Sequence, residues 1–457
     1  MAEFGTSGLR GLATDLTDDL CATYAAAFVA LHGAGGRLLI GQDRRESSPR
    51  ITRAVAAGAI SEGADVVDCG VLPTPALALA AQKAGAVAIM VTGSHIPADR
   101  NGLKFYTREG EFTKADEAPL REAVAARSAP EVASVEVPGD TSARADYVAR
   151  YVKGLPPGIL KGRRVGVWLH SSAASTVLPE ILEGLGAAVV GLGASEAFVS
   201  VDTEAVDAEA RATMAGWVSE HGLDALLSTD GDADRPLLVD DRGRVIPGDI
   251  LGPITARWTG ADEVVTTVSA NTMVDLMGGF RSVARTRIGS PYIIAKMEAR
   301  RAGGAKVAGY EPNGGFLLGW DMGGGLTPLM TRDSALPMLA VLASSAERGV
   351  AVSGLLADLP ERRTATDRLK DIPREKSLAL VEDILGGDHA VLPEGLGRLT
   401  HVDRTDGARM TFSSGRIVTI RPSGNAPELR CYVEAESQEA ADALLADALA
   451  RLKAALG

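Results

Sequence analysis

The sequence has few of the residues that build disulfide-rich, zinc-binding or nucleic-acid-binding proteins. Its three cysteines, Cys21, Cys69 and Cys431, are far apart and form no C-x-x-C pair. This spacing argues against a disulfide framework and against a zinc site. Lysine and arginine total 47 against 59 aspartates and glutamates, which gives a net charge of −12. We therefore expect no nucleic-acid partner.

Long apolar segments and aromatic residues are also scarce. No uncharged apolar run reaches ~18 residues, the length of a membrane span, and the first five residues do not resemble a signal peptide. We therefore expect a cytoplasmic protein with no membrane partner. Aromatic residues make up 4% of the chain and hydrophobic residues 46%. The core must be built mainly from Ala, Val, Leu and Ile, a composition that suits layered α/β packing.

The order of predicted elements divides the chain into four units. At 457 residues the chain is too long for a single hydrophobic core. Strands alternate with helices in three successive stretches, and this order predicts three α/β domains with mostly parallel sheets. After Pro360, hairpin signals at Asp406-Gly407 and Ser414-Gly415 indicate a smaller α+β domain. The predicted domains are 1–152, 153–249, 250–360 and 361–457.

The first stretch with chemical potential follows a predicted buried strand, Ala86–Val91. Small and turn-forming residues stop this strand and leave Ser94, which we expect to be exposed, at its C-terminal end. Ligands collect at that end of an open α/β sheet. Asn101-Gly102 is predicted to turn the chain and to return Lys104 to the same edge. A hydroxyl beside His95 and Lys104 can be a nucleophile or a phosphate carrier; the alternative is an ordinary polar loop.

A second stretch carries three carboxylates on alternate residues, Asp230, Asp232 and Asp234, again after an apolar strand. Crowded carboxylates repel one another, so a bound hard cation such as Mg²⁺ explains them better than a solvated turn. An EF-hand loop would need glycine at its sixth position and glutamate at its twelfth, and neither is present. A phosphatase of the aspartyl-phosphate type would carry a hydroxyl residue in place of Asp234.

Together the two stretches resemble the α-D-phosphohexomutases, which move a phosphate between C1 and C6 of a hexose. Within that family they are most similar to bacterial phosphomannomutases and phosphoglucomutases. The resemblance implies that Ser94 carries the phosphate and that its oxygen joins the three aspartates as a ligand of one Mg²⁺. It also implies that Arg235 supports the phosphate and that four domains surround a central cleft. Gly93 and Ile96 depart from the family's alanine and asparagine.

The resemblance extends to both ends of the chain. Residues Phe4–Gly11 match the opening G-T-[SA]-G-[LIY]-R-G pattern, which implies that Arg10 reaches the active site. These glycines do not form a dinucleotide fingerprint, because they lack its spacing and a preceding strand. Near the C-terminus, small residues between two strands can form an anion nest. The phosphate contacts implied there by the pattern R-x-S-[GN]-T-E-P-x-L-R are Arg421, Ser423, Gly424, Asn425 and Arg430, with support of the strand as the alternative role of Arg430.

The third unit carries the implied sugar-binding loop. Glu311 matches the glutamate of the family's G-E-x-S-G-H, and Asn313 stands where its serine would be. Both side chains can bond vicinal sugar hydroxyls. Gly315 replaces the histidine, which is the largest departure from the pattern. Arg287 is the implied phosphate contact of this unit.

The resulting hypothesis is an isomerase that interconverts hexose 6-phosphate and hexose 1-phosphate, with mannose and also glucose as the sugar. Phosphorylated Ser94 gives its phosphate to the substrate, the 1,6-bisphosphate turns over, and the other phosphate returns to Ser94. Lys104 and His95 would move protons, while Arg10 and Arg235 would stabilise the transferring group. Hexose 1,6-bisphosphate is the expected activator, and the protein is expected to be a monomer or homodimer. The alternatives are a phosphoglucosamine mutase, a metal-dependent sugar-phosphate hydrolase and a non-catalytic sugar-phosphate binder.

Overall fold

The computed structural model describes residues 2–5, 8–131, 137–423 and 427–457, and it contains four sheets. Each sheet draws its strands from one continuous stretch of the chain. The first unit contains β1 (Glu3–Gly5), β2 (Gly8–Leu12), β3 (Arg37–Gln42), β4 (Asp65–Val71), β5 (Val87–Val91), β6 (Arg100–Thr107) and β7 (Gly110–Glu111), with helices α1 (Asp18–Phe28), α2 (Ser48–Ser61), α3 (Thr74–Ala84) and α4 (Lys114–Ala125). A π-helical turn, Val29–Gly33, follows α1.

The first sheet has the order β1-β2-β6-β5-β3-β4, with β7 paired to β6. Strands β3, β4 and β5 are parallel, whereas β6 is antiparallel to β5. The predicted turn at Asn101-Gly102 is wrong, since both residues lie inside β6 and the chain reverses earlier, between β5 and β6. The Asn101 amide is satisfied within the strand because it donates to the hydroxyls of Ser47 and Ser48.

The second and third units repeat this plan with smaller sheets, of orders β12-β11-β10-β8-β9 and β14-β13-β15-β16-β17. The helix α5 (Ser142–Gly154) connects the first unit to the second, which contains β8 (Arg164–Trp168), α6 (Val177–Gly184), β9 (Ala188–Leu192), α7 (Ala208–His221), β10 (Ala225–Thr229), β11 (Pro236–Asp240) and β12 (Val245–Ile246). The third contains α8 (Gly248–Trp258), β13 (Glu263–Thr267), α9 (Met273–Leu276), β14 (Ser282–Thr286), α10 (Ser290–Arg301), β15 (Val307–Tyr310), β16 (Phe316–Leu318), β17 (Leu329–Asp333), α11 (Ala335–Glu347) and α12 (Val352–Ala357). Both sheets are mixed, with three adjacent parallel strands extended by two antiparallel pairings.

The fourth unit is an antiparallel sheet of order β18-β22-β21-β20-β19 with two helices. Its elements are β18 (Arg363–Lys370), α13 (Arg374–Gly386), β19 (Leu399–Asp403), β20 (Ala408–Phe412), β21 (Ile417–Pro422), β22 (Glu428–Ala435) and α14 (Gln438–Leu456). The two predicted hairpin turns connect β19 to β20 and β20 to β21. The predicted fold class, three α/β units and a smaller α+β unit, is therefore confirmed.

The buried side chains show which units pack into one body. One cluster runs through the first three units and includes Leu77, Leu178 and Leu339. The fourth unit has a separate core, built around residues such as Met410 and Leu452. Within the described ranges, no helix is both long and apolar enough to span a membrane.

A buried carboxyl lies where the third unit meets the fourth. Asp249, at the start of α8, is 3% exposed, and its Oδ2 accepts a hydrogen bond from Thr364 Oγ at 3.3 Å. Burial, and next the nearby Glu434, raise the pKa of Asp249 from 3.8 to about 7. The folded state therefore binds this proton more tightly than the unfolded state, and stability is lost as the pH rises from about 4 through 7.

We expect Asp249→Asn to stabilise the protein at alkaline pH, because the amide cannot ionise. The free energy of unfolding at pH 8 should rise by about 2–4 kcal/mol, with little change at pH 4. Urea unfolding of both proteins across this range measures the effect. The prediction is contradicted if the variant and the wild type lose stability in parallel between pH 4 and pH 8.

Candidate active site

The carboxyl ends of three strands, one from each of the first three sheets, meet at one place. The loop after β5 carries Ser94, the loop after β10 carries the three aspartates, and the loop after β15 carries Glu311. Ser94 Oγ donates a hydrogen bond to Asp230 Oδ2 at 2.5 Å, although 136 positions separate the two residues. The structure thus brings together the serine and the acidic loop that the sequence placed in different domains.

Ser94 sits in an unusual local environment. Its relative exposure is 0%, so the expectation of an exposed serine is wrong, because the acidic loop of the second unit covers it. Its φ is 54°, in the left-handed region, and the same holds for Ala233 in the acidic loop, with φ 59°. A non-glycine residue keeps such a conformation only where its surroundings enforce it. Both site loops are therefore held rigidly by their neighbours.

Arg45 is the main brace of the Ser94 loop. Its guanidinium donates hydrogen bonds to four backbone carbonyl oxygens of that loop and the start of β6, those of Ser94, Ile96, Pro97 and Arg100, at 2.5–3.0 Å. Asp43 neutralises it and also accepts from Thr92 Oγ at 2.7 Å. A Cβ on Gly93 would lie 2.6 Å from Arg45 Cζ, which explains why glycine stands there. In the sequence this pair shows only as polar residues directly after β3, a position that does not reveal its partners.

We expect Arg45→Lys to destabilise the protein by about 3 kcal/mol or more. A lysine has one point charge and cannot bond four carbonyls at once, so several buried acceptors lose their donor. Urea unfolding measures the loss. Arg37→Lys is the matched control, because Arg37 pairs with Asp65 on the exposed surface and such pairs contribute less than about 1 kcal/mol. A similar small loss for both variants would contradict the role of Arg45.

The three aspartates form a buried cluster that fits a hard cation. One carboxylate oxygen from each lies within 4.8 Å of the others, and all three residues are at most 1% exposed. Burial, and then the charges of Asp232 and Asp234, raise the pKa of Asp230 well above its usual range. Among the described residues, the Oδ1 atoms of Asp232 and Asp234 are buried and have no hydrogen-bond partner. A cluster that offers only carboxylate oxygens as metal ligands, with some of them not hydrogen-bonded, suits Mg²⁺.

Two cationic side chains and one hydroxyl donate hydrogen bonds to the Oδ2 atoms of Asp232 and Asp234. Lys104 Nζ donates to Asp232 Oδ2 at 2.5 Å and to Asp234 Oδ2 at 2.7 Å. Thr74, the first residue of α3, donates its hydroxyl to Asp232 Oδ2 at 2.6 Å. Arg332, which the sequence analysis did not single out, donates to Asp234 Oδ2 at 2.7 Å. Burial alone would raise the pKa of Asp234, but Arg332, Lys104 and Arg235 hold it well below its usual range.

Arginines form a positive region beside the acidic cluster. Burial, and next the charge of Arg235, lower the pKa of Arg10 to about 10. Arg235, burial and Arg10 together hold the pKa of His95 well below its usual range. His95 Nδ1 lies 3.4 Å from Ser94 Oγ. Positive charge around a buried serine suits a bound phosphate.

The sugar-loop residues are buried near the same centre. Glu311 is 4% exposed, and its Oε1 accepts from Arg332 Nη1 at 3.3 Å. The side chain of Asn313 is used locally, because its Oδ1 accepts from the backbone N–H of Gly315 at 2.9 Å. Thr203 of the second unit donates to the Asn313 carbonyl at 3.3 Å, which ties the two loops together.

The remaining candidates lie on the fourth unit or face it. Arg287 Nε donates to the carbonyl of Thr405 at 3.2 Å. Arg421 pairs with Asp406 at 3.4 Å, and Arg430 pairs with Glu428 at 3.3 Å. These contacts hold the three arginines within or against the fourth unit rather than at the acidic cluster. The Ser423 backbone N–H donates to the Glu428 carbonyl at 2.8 Å, whereas Gly424 and Asn425 lie outside the described residues.

Comparison with known proteins agrees with this architecture. The alpha/beta/alpha domains I, II and III of phosphoglucomutase/phosphomannomutase match residues 1–130, 149–243 and 247–363, and the C-terminal domain matches 362–451. The fold and these matches define an isomerase of the hexose phosphate mutase class. More narrowly, the chain belongs to the phosphoglucomutase/phosphomannomutase family, as its sequence predicted.

Relatives of known name support the same assignment. A phosphomannomutase of Sinorhizobium fredii (strain NBRC 101917 / NGR234) is 44% identical, with 99% of each chain covered. A phosphomannomutase of Salmonella muenchen is 41% identical over 99% of this chain and 96% of its own. A phosphoglucosamine mutase of Thermobifida fusca is 32% identical over 98% and 97%. The fold also matches the crystal structure of a putative phosphomannomutase from Thermus thermophilus, with a TM-score of 0.80, 22% identity and 99% of each chain covered.

Proposed function

We propose that this mutase interconverts the 6-phosphate and 1-phosphate of mannose, and also of glucose, through phosphorylated Ser94 and a hexose 1,6-bisphosphate. The observation that carries the proposal is the 2.5 Å hydrogen bond between Ser94 Oγ and Asp230 inside a buried, arginine-lined cluster. Relatives at 41–44% identity that are named phosphomannomutases favour mannose over glucosamine. The proposed domains are 1–152, 153–249, 250–360 and 361–457, in a cytoplasmic monomer or homodimer.

In the proposed first step, phosphorus moves from Ser94 to a hydroxyl oxygen of the hexose monophosphate. The bond from Ser94 Oγ to phosphorus breaks, the bond to the sugar oxygen forms, and the sugar hydroxyl gives up its proton. His95, whose Nδ1 lies 3.4 Å from Ser94 Oγ, and Lys104 are the two candidates for moving that proton. Arg10 and Arg235 stabilise the charge on the transferring oxygens. The second step reverses the first with the other phosphate.

Asp230, Asp232, Asp234 and a phosphoserine oxygen would hold one Mg²⁺. The ion supplies electrostatic stabilisation of the phosphoryl oxygens. Lys104 and Thr74 position one of these ligands, because both donate a hydrogen bond to Asp232 Oδ2.

Between the two steps the bisphosphate must turn over, so the site has to hold either phosphate equally well. We assign the sugar hydroxyls to Glu311 and Asn313. We assign the distal phosphate to Arg287 of the third unit and to five residues of the fourth unit: Arg421, Ser423, Gly424, Asn425 and Arg430. The separate core of the fourth unit allows it to move as a clamp.

The substrate assignment is tested by coupled assays of mannose 1-phosphate, glucose 1-phosphate and glucosamine 1-phosphate side by side. We expect the highest kcat/KM for the mannose ester, and activation when glucose 1,6-bisphosphate is added. Preference for the glucosamine ester would identify a phosphoglucosamine mutase instead. Release of inorganic phosphate, with the bisphosphate acting only as a competitor, would identify a hydrolase.

A further inference from the structure

Four consecutive side chains at the end of β17 contact four different parts of the molecule. We call residues 331–334 the crosspiece. The Thr331 hydroxyl lies 3.3 Å from the Tyr106 hydroxyl, and Arg332 donates hydrogen bonds to Asp234 and Glu311. Asp333 accepts hydrogen bonds from the hydroxyls of Tyr147 and Tyr151. Ser334 donates a hydrogen bond to the Ala233 carbonyl at 2.7 Å. The crosspiece therefore joins the first unit, α5, the acidic loop and the sugar loop.

Arg332 is the only member of the crosspiece that holds two carboxylates at once. Its Nε and Nη2 both donate to Asp234 Oδ2, at 3.1 and 2.7 Å, and its Nη1 donates to Glu311 Oε1 at 3.3 Å. The side chain is 6% exposed, so water does not compete strongly for these bonds. A planar fork of donors fixes the direction of both carboxylates, which a lysine cannot do.

The direction of Asp234 matters because only one of its oxygens is held in this way. Arg332 and Lys104 both donate to Oδ2, whereas within the described residues Oδ1 accepts no hydrogen bond and lies 3.8 Å from Arg235 Nε. Arg332 thus fixes the direction of a carboxylate that supplies one of the three oxygens of the acidic cluster, which lie within 4.8 Å of one another. Outer contacts of this kind orient metal ligands and tune affinity.

Gly315 provides the room that Arg332 occupies. A Cβ on Gly315 would lie 2.7–2.8 Å from the Cβ, Cγ and Cδ atoms of Arg332, closer than real Cβ contacts. The aliphatic part of Arg332 therefore fills the space that a side chain at 315 would need. Arg332 can therefore occupy this position only because Gly315, which replaces the family's histidine, has no side chain.

We propose that Arg332 is a positioning residue that sets Mg²⁺ affinity through Asp234 and sugar affinity through Glu311, with Gly315 kept small to admit it. The proposal rests on the proposed function for the identity of the ligands. It assigns no chemical step to Arg332, which acts through the two carboxylates.

The first test compares Arg332→Lys with wild-type protein by calorimetric titration, with MgCl₂ alone and then with mannose 6-phosphate. We expect Kd to rise about tenfold for both ligands. In turnover assays, KM should rise more than kcat falls. Arg300→Lys is the matched control, because Arg300 lies in the same unit and pairs with Glu263 away from the site. Unchanged Kd values in Arg332→Lys, or equal changes in the control, overturn the proposal.

The second test is a double-mutant cycle that does not need turnover. Gly315→Ala should weaken MgCl₂ binding in the wild-type background, because the new Cβ displaces Arg332. In an Arg332→Ala background the same substitution should change Kd by less than about twofold. Equal effects in both backgrounds would show that Gly315 acts independently and would overturn the proposal. If the wild-type protein shows no mutase turnover, the proposed function fails, while the MgCl₂ cycle still decides the role of Arg332.

Discussion

Ser94→Ala is expected to lower kcat for hexose phosphate interconversion by at least about 10⁴-fold, since the variant has no oxygen to carry the phosphate. The fold should survive, because Ser94 is small and its loop is held by Arg45 rather than by its own hydroxyl. The loss should come without a matching loss of Mg²⁺ binding, because the three carboxylates remain. Steady-state assays of both reaction directions, with added glucose 1,6-bisphosphate, measure the effect.

Ser345→Ala is the matched control for this experiment. Ser345 is also fully buried, at 1% exposure, but its hydroxyl donates to the Val350 carbonyl just beyond α11. Its removal should cost about 1 kcal/mol of stability and leave kcat unchanged. Mass spectrometry of the wild-type protein should find the phosphate on Ser94. Full turnover by Ser94→Ala would refute the phosphoserine mechanism.

Asp230→Asn is expected to have opposite effects with and without Mg²⁺. Without the ion, the variant should be more stable than the wild type, and more so at pH 8 than at pH 5. The reason is that burial and two neighbouring carboxylates raise the pKa of Asp230, so the wild type loses stability as the pH rises. With the ion, the ranking should reverse. Wild-type protein at 100 times Kd gains about 2.7 kcal/mol from binding, and the variant should gain almost none.

Thermal unfolding with MgCl₂ or EDTA, at both pH values, measures this reversal, and kcat should fall by at least about 100-fold. Asp241→Asn is the control, because Asp241 accepts two hydrogen bonds from Ser353 and lies outside the acidic cluster. That variant should be less stable in both conditions and keep its Mg²⁺-dependent gain. An Asp230→Asn variant that gains as much from Mg²⁺ as the wild type would remove Asp230 from the ligand set.

The residues predicted from sequence share one property: each belongs to a local sequence pattern that indicates its function. Asp230, Asp232 and Asp234 stand on alternate residues after a strand, and Ser94 stands beside His95 in the same position. Each loop lies at the carboxyl ends of the strands of its own sheet, where ligands collect in α/β folds, and the packing of the first units against one another brings the two loops together.

The residues that were missed are identified only by distant partners. Arg45 and Arg332 occur in ordinary polar stretches, and nothing near them in sequence shows that they contact the Ser94 loop or Asp234. Their importance comes from burial, since a fully enclosed guanidinium must bond whatever acceptors surround it. The error at Asn101-Gly102 has the same origin, because two serine hydroxyls at the start of α2 accept hydrogen bonds from the side chain of an asparagine that usually marks a turn.

By itself, the sequence determined the four-unit order, the family and the two loops that carry the serine and the aspartates, because strand and helix periodicity and local motifs are properties of neighbouring residues. Only the tertiary structure decided that Ser94 is buried, which oxygens of Asp232 and Asp234 are left unbonded, and that Arg332 takes the space beside Gly315. Those features depend on contacts between residues about a hundred or more positions apart, or on neighbouring strands, and no local pattern encodes such contacts.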